Sequence, residues 1–292
     1  MSNQGMIHGK DARQLAEVNK TEPIWEESTP RWLLQILDRK GIENTIFRIN
    51  KVNSIIKVII DDHEYGMISQ DSVELHHQPV EIEMIPIETI VKIPSKVYDV
   101  MNYPHNQMAH QVRLTIENIL EHQERYFITN PQTGLITYCS SNNRLKEYAT
   151  QIGPDVLDDL LATVWNKPTF YLMHPAVLAN FCKACNALGL NTGSTELFGY
   201  TFVTWRGLPI ITSDKIPFDK TDKTFIFLIR TGIADSGVIQ LYNMTPTKSG
   251  FPGIFLETSM TDNLGSVNTR ITLYTNIAVL SRESIAGASC IC

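Results

Sequence analysis

The chain has 292 residues, and only 19% of them are charged, against about 25% in an average soluble domain. Its 25 basic and 31 acidic residues give a net charge of −6, which excludes the basic surface of a nucleic-acid-binding protein. No apolar run approaches the ~18 residues of a membrane span, and the N-terminus lacks a hydrophobic signal core. We therefore expect a cytoplasmic protein without a membrane or nucleic-acid partner. Because charges are depleted at protein interfaces, the composition also favours a subunit of an assembly.

The N-terminal third predicts an arm, a short helix and a two-stranded excursion. Residues 1–28 are polar and have little to bury alone, so we expect an arm that is ordered by a neighbouring subunit. Pro30 and the apolar stripe over 32–37 predict a helix that is closed by Gly41. Apolar and polar residues alternate in parts of 45–93, which predicts strands. A long hairpin is marginal in water, so we expect an adjacent subunit to cover it.

The strongest helical pattern covers about residues 104–128. Apolar residues recur there at helical spacing, and Glu121 and Arg125 stand one turn apart, where they can form an ion pair. At 1.5 Å per residue the helix would span roughly 37 Å. It is therefore long enough to be the spine of a domain.

A second unit is predicted after a polar connection at 130–150. Pro154 opens a helix with Trp165 on its apolar face, and Pro175 opens another that Gly189 closes. Strands are predicted at 169–173, 200–204, 208–211, 225–229, 238–242, 253–259 and 269–280. This order indicates an α+β fold in which a mid-chain unit is inserted into a domain that the C-terminus completes.

The C-x-x-C spacing of Cys182 and Cys185 is the clearest candidate for chemistry. A redox pair needs a stabilised thiolate, usually at a helix N-terminus, whereas these residues lie in the last turns of a predicted helix. They share an apolar stripe, so we interpret them as core residues. The alternative is that Cys290 and Cys292 complete a zinc site with this pair. These two residues lie at the C-terminus, which we expect to fray.

Other candidate groups also favour structural roles. His76 and His77 are adjacent in a predicted strand region and face opposite sides, so they cannot join His63 as ligands from one face. Asp158 and Asp159 lie near a helix N-terminus, where carboxylates favour the helix dipole. No phosphate-binding loop, GxSxG or HExxH sequence is present. The sequence therefore predicts no catalytic, cofactor-binding or metal-ligating residue, and the chain is not expected to be an enzyme.

Several blocks of sequence carry a recognisable pattern. Between 197 and 217, a G-x-P-I turn is followed by S-D-x-I-P, and then by a strand that ends near a glycine. This order resembles the axial domain of HK97-type capsid proteins. The further blocks are Ala12-Arg13-Gln14-Leu15-Ala16, Thr29-Pro30-Arg31-Trp32-Leu33-Leu34, Arg113-Leu114-Thr115-Ile116-Glu117 and Thr204-Trp205-Arg206-Gly207. Together they are similar to the family 2 encapsulins, and within them to subtype A, which houses a cysteine desulfurase.

The resemblance implies an HK97-like capsid fold with four parts. They are an N-terminal arm and first helix at 1–44, an extended loop at 45–95, a peripheral domain with the spine helix at 96–155 and 255–292, and an inserted axial domain at 156–254.

The resemblance also implies a function. The chain would form a closed icosahedral shell of identical subunits, with T=1 geometry, around a pyridoxal-phosphate (PLP)-dependent cysteine desulfurase that serves sulfur metabolism or storage. PLP would belong to the cargo alone. The alternatives are a viral HK97-type major capsid protein and a thiol- or zinc-dependent enzyme that uses Cys182 and Cys185.

A pore at the five-fold axis is a further expectation from the resemblance. Its candidate loop is Thr204, Trp205, Arg206 and Gly207, and the segment 219–224 is a second candidate. If copies of Arg206 faced the opening, they would raise the local concentration of anions. The other possibility is that Arg206 pairs with a neighbouring carboxylate and lines no pore.

Overall fold

The computed structural model describes residues 30–49, 79–93, 107–148, 152–218, 223–244, 253–260 and 267–291. Its α-helices are α1 (Trp32–Ile36), α2 (Gln107–Thr129), α3 (Leu135–Ser141), α4 (Pro154–Thr163) and α5 (Pro175–Ala187). Its strands are β1 (Asp38–Ile42), β2 (Ile46–Ile49), β3 (Val80–Glu83), β4 (Ile85–Ile93), β5 (Leu145–Glu147), β6 (Phe170–Met173), β7 (Gly193–Leu197), β8 (Tyr200–Trp205), β9 (Leu208–Thr212), β10 (Lys223–Ile229), β11 (Val238–Asn243), β12 (Ile254–Met260), β13 (Val267–Val279) and β14 (Ile285–Ile291). This mixture confirms the predicted α+β class.

A seven-stranded sheet has the order β5-β14-β10-β6-β9-β8-β7, and its central strands are covered on both faces. Its strand β6 is an unbroken apolar run, which is typical of a strand buried on two sides. Phe170 and Leu172 pack with residues of α1, α2 and α3. Tyr171 and Met173 pack on the other side with α4 and α5. The middle of this sheet is therefore sandwiched between helices.

A five-stranded sheet is built around β13, which pairs with β4, β11 and β12. The helix α2 lies on it, because Ile116 and Ile119 pack against Ile271 and Leu273. The predicted spine helix is therefore confirmed from Gln107 onward. Within the described ranges, no helix combines the length and apolarity needed to cross a bilayer.

The strands β2 and β3 form the antiparallel stem of the predicted excursion, with Phe47 opposite Ile82. These two side chains pack beside Met84 against Leu241 of the five-stranded sheet. The last part of the excursion, 85–93, is strand β4, which pairs with β13 in the five-stranded sheet of the same chain. Residues 50–78 lie outside the described residues, as do the predicted arm, the three histidines weighed as metal ligands and most of the second candidate pore segment. Their expected roles stay predictions.

Two local predictions, at Gly41 and at Trp165, are wrong. Gly41 does not close a helix, because α1 ends at Ile36 and Gly41 lies in β1. A Cβ at Gly41 would lie 2.3 Å from Met244 Cγ, so the glycine permits close packing between β1 and the chain after β11. Trp165 does not join the apolar face of α4, which ends at Thr163, and the indole is 75% exposed.

The C-terminal prediction is also wrong, because β14 does not fray. It pairs along its whole length with β10, and Cys290 is fully buried. The two sheets also share strands across the predicted domain limits. The strand β11, in the predicted axial segment, lies in the five-stranded sheet, whereas β14, in the predicted peripheral segment, lies in the seven-stranded sheet.

The ion pair expected within α2 is replaced by longer-range pairs. Glu121 Oε1 lies 3.0 Å from Arg31 Nη1, and Glu121 Oε2 lies 2.6 Å from Lys215 Nζ. These two contacts take the place of the predicted pair with Arg125, one turn along the helix. The helix is therefore tied by charge to α1 and to the segment after β9.

Candidate functional site

The candidate pore loop is the tip of the hairpin that joins β8 and β9. Arg206 and Gly207 form its two-residue turn, with φ angles of 50° and 83°. Positive φ at both central positions is the geometry of a tight hairpin turn, and glycine adopts it without strain. The four predicted residues are thus brought together at one tip, as the sequence indicated.

Trp205 anchors this tip to the helices beneath it. Its indole is 5% exposed, and Nε1 donates a hydrogen bond of 2.7 Å to Asp158 Oδ1 on α4. Its ring meets Phe181 of α5 edge to face at 5.3 Å. Trp205 is therefore a packing residue that fixes the hairpin on the α4–α5 layer.

Arg206 pairs with the same carboxylate. Its Nη2 and Nε atoms donate to the two oxygens of Asp158 at 2.9 and 3.2 Å, and the guanidinium lies 4.9 Å from the Trp205 ring centroid. The hydrogen bond from Arg206 lowers the pKa of Asp158, with a further contribution from Trp205 and with desolvation opposing both. Arg206 therefore forms the carboxylate pair that was the alternative to pore lining. A pore would require neighbouring subunits, so that role stays a prediction.

The C-x-x-C pair belongs to the core beneath the same hairpin. Cys185 is 1% exposed and Cys182 is partly buried in the cluster that also holds Cys290. Burial raises the pKa of both Cys182 and Cys185, which disfavours a reactive thiolate. Among the described residues, no group of three or more His, Cys, Asp or Glu side chains is placed to hold a metal ion. The packing interpretation of the pair is supported.

A cavity of about 260 Å³ lies between α1, α2 and the five-stranded sheet. Gln123 and Gln240 are buried beside it, and their Nε2 atoms donate to Thr275 Oγ1 and to the Leu34 carbonyl. Its lining residues are Arg31, Leu34, Gln35, Arg39, Leu120, Gln123, Gln240, Leu241, Tyr242, Ile254 and Leu273. The cavity thus combines buried apolar side chains with an exposed arginine, Arg39.

Sequence reasoning named none of these residues as a site. Apart from Arg31, which precedes α1, they come from six separate elements, and each fits its own helix or strand pattern, so no local signal marks the cavity. Only the fold brings the cavity together.

Comparisons with known proteins define the class first. The capsid of a native GTA particle matches the fold with a TM-score of 0.62 at 11% identity, over 94% of this chain and 95% of that chain. The holo-SrpI encapsulin complex from Synechococcus elongatus PCC 7942 matches with a TM-score of 0.81 at 31% identity, over 97% and 95%. The chain therefore has the HK97-like capsid fold that the resemblance implied.

The sequence comparisons then define the family. Residues 46–289 match the family described as type 2A encapsulin shell protein, SrpI-like. The type 2A encapsulin shell protein of Mycolicibacterium paratuberculosis is 36% identical over 280 residues, covering 94% of this chain and 91% of the relative. The chain belongs to the type 2A encapsulin shell proteins. This membership decides between the two capsid-type alternatives in favour of an encapsulin shell.

Proposed function

We propose that this chain is the sole structural subunit of a closed icosahedral T=1 shell. The shell would be located in the cytoplasm and would enclose a cargo enzyme. The observation that carries the proposal is the match, over 97% of the chain, to the subunit of a solved encapsulin complex. Identical subunits close a shell through heterologous contacts whose rotations complete a point group. The low share of charged residues fits a surface that is largely interface.

The proposed cargo is a PLP-dependent cysteine desulfurase. Its support is the resemblance of the sequence blocks to the subtype that houses such an enzyme. Within this proposal the cargo carries the cofactor and performs sulfur transfer. The shell retains the enzyme and restricts access by size and charge.

The cavity beside α1 is the proposed attachment site for the cargo. Its buried apolar lining suits an apolar side chain, and exposed Arg39 at its edge suits a neighbouring carboxylate. We therefore assign it a short peptide of the cargo in which an acidic residue adjoins an apolar one. Each contact would be weak, but many identical sites around a multimeric cargo would raise retention through effective concentration.

Co-purification from the native host tests the cargo. We expect shells with the visible absorbance of bound pyridoxal and a desulfurase identified by mass spectrometry. Shells that lack both signals would contradict the cargo proposal but would not contradict the proposal that the chain assembles into a shell.

A charge reversal tests the attachment site. Arg39→Glu should leave shells assembled and lower the cargo content several-fold, because the new carboxylate repels the acidic residue of the peptide. Lys40→Glu is the matched control, since Lys40 is the next exposed residue of β1 and does not line the cavity. Equal cargo content in both variants would contradict the site.

The hairpin tip is the proposed lining of a five-fold pore. The test is the rate at which an anionic and a cationic quencher reach a dye-labelled cargo. Arg206→Gln should slow the anion relative to the cation, whereas Lys183→Gln, at an exposed position of α5, should leave the ratio unchanged. An unchanged ratio in Arg206→Gln would place the pore elsewhere.

A further inference from the structure

A buried cluster of charged side chains joins α1, α2 and the segment 213–218 that follows β9. Lys215, with a side chain only 2% exposed, is its centre. Its Nζ lies 2.6 Å from Glu121 Oε2, 2.5 Å from Asp214 Oδ1 and 3.6 Å from Glu124 Oε2. Arg31 extends the cluster by binding Glu121 and Glu117. The cluster thus connects the spine helix to two elements outside the five-stranded sheet.

Glu124 is the most buried member of the cluster, with no exposed surface. Its Oε1 accepts a hydrogen bond of 3.2 Å from the backbone N–H of Leu33, in the first turn of α1. That N–H has no acceptor within its own helix, so the carboxyl group of α2 satisfies it. Its Oε2 accepts no hydrogen bond from the described residues. One oxygen therefore holds α1 while the other has only the more distant ammonium group.

Among the described residues, the ion pairs of the cluster contain more acids than bases. With every group ionised, the two cations Arg31 and Lys215 would face four described carboxylates, those of Glu117, Glu121, Glu124 and Asp214. A buried charge without full compensation is costly, so the cluster favours one neutral carboxyl group.

The pKa of Glu124 follows from this surplus. Burial is the largest cause that raises this pKa, and Lys215 and the Leu33 N–H oppose it, while Glu121 and Asp214 raise it by smaller amounts; the net value is about 7. Glu124 is thus the group that takes up the proton.

We propose that Glu124 is a proton-operated joint: its neutral carboxyl group holds α1 and the segment 213–218 against the spine helix, and ionisation at higher pH loosens both. The segment 213–218 leads out of the seven-stranded sheet, whereas α2 packs on the five-stranded sheet. The coupling between the two halves of the subunit therefore depends on pH.

The direction of this dependence follows from proton linkage. A carboxyl group whose pKa is higher in the closed joint than in the open one stabilises the closed joint fully below the ordinary value of 4.5. That stabilisation is lost as pH rises through about 7. The equilibrium constant for opening should therefore rise on the order of tenfold between pH 6 and pH 8.

His174 is a further titratable group that interacts with Asp214 of the cluster. Burial lowers its pKa, although Asp214 opposes the shift, so His174 is neutral over most of the interval.

Hydrogen exchange of the purified full-length protein tests the joint. Peptides that contain Leu33 and residues 213–218 should lose protection on the order of tenfold between pH 6 and pH 8, after correction for intrinsic exchange. Glu124→Gln keeps the shape of the side chain and an oxygen for the Leu33 N–H, and it should abolish this change. Glu117→Gln removes a charge from the edge of the same cluster and should retain the change.

Two results would overturn the proposal. The first is a flat pH profile in the unaltered protein, and the second is an unchanged profile in Glu124→Gln. If Glu124→Gln does not assemble, the pH dependence of hydrogen exchange is measured in His174→Gln instead. A pH response that persists in His174→Gln supports Glu124 as the titrating group, whereas a response that disappears would assign the proton to His174.

Discussion

The two sheets of this subunit are covered differently. In the seven-stranded sheet, β6, β9, β10 and β14 each supply alternate residues to two buried clusters, one on each face. In the five-stranded sheet, α2 covers one face of β13, whereas the other face carries the exposed Arg270–Glu88 pair and Ile90, which is 59% exposed.

This difference in cover assigns the stability of the folded subunit mainly to the seven-stranded region and leaves the open face of the five-stranded region for assembly. The seven-stranded region holds its own two-sided core, so its residues should control the stability of the subunit. The five-stranded region leaves part of one face open, which single-sided sheets tolerate when polar residues alternate with apolar ones. Substitutions there should change the fold less.

The largest expected effect is the loss of a core ring from the two-sided sheet. Phe227 is fully buried in β10, so Phe227→Ala should lower the free energy of unfolding by about 3–5 kcal/mol. Ile90→Ala, on the open face of the other sheet, should change it by less than about 0.5 kcal/mol. Denaturant unfolding measures both, and equal losses would break the comparison.

An intermediate effect is expected from the cysteines on the α4–α5 side of the same sheet. Replacing both Cys182 and Cys185 with Ala should cost about 1–2 kcal/mol through lost packing, with assembly and cargo activity retained. Normal unfolding combined with lost cargo activity would revive the thiol or zinc alternative.

The smallest effect is expected at the surface of the seven-stranded region. Asp158 has a lowered pKa, so its pair with Arg206 contributes stability above the ordinary pKa of an aspartate and loses it as pH falls. The pair is largely exposed, so Arg206→Gln should lower the thermal midpoint only slightly at pH 7. The difference should shrink as pH falls below the ordinary pKa of an aspartate, and a difference that stays constant over the whole acid range in which the protein is folded would show that the ion pair is not its cause.

The sequence predicts the elements whose apolar periodicity is long or unbroken. The heptad-like spacing in α2 and the run at β6 are examples, because helix packing and two-sided burial leave a direct pattern. The hairpin tip was also predicted, because the G-x-P-I turn that begins at Gly207 follows one predicted strand at 200–204 and leads into the next at 208–211.

Other features depend on distant partners and leave no local pattern. The strand β14 consists mostly of small residues, and its identity as a strand comes from pairing with β10. Gly41 was taken for a helix end because its contact with Met244 is more than 200 residues away in the chain. Lys215 is an ordinary residue for a turn and Glu124 an ordinary residue for a helix, so neither stands out in the sequence. Only the fold brings the two side chains together.

Electron microscopy of the purified full-length protein tests the central conclusion most directly. Since the chain belongs to the type 2A encapsulin shell proteins, we expect closed particles of one diameter with icosahedral T=1 symmetry, and with the hairpin tip of 204–207 grouped about the five-fold axes. Monomers or small open oligomers at the same concentration would contradict the proposal that this chain alone builds the shell.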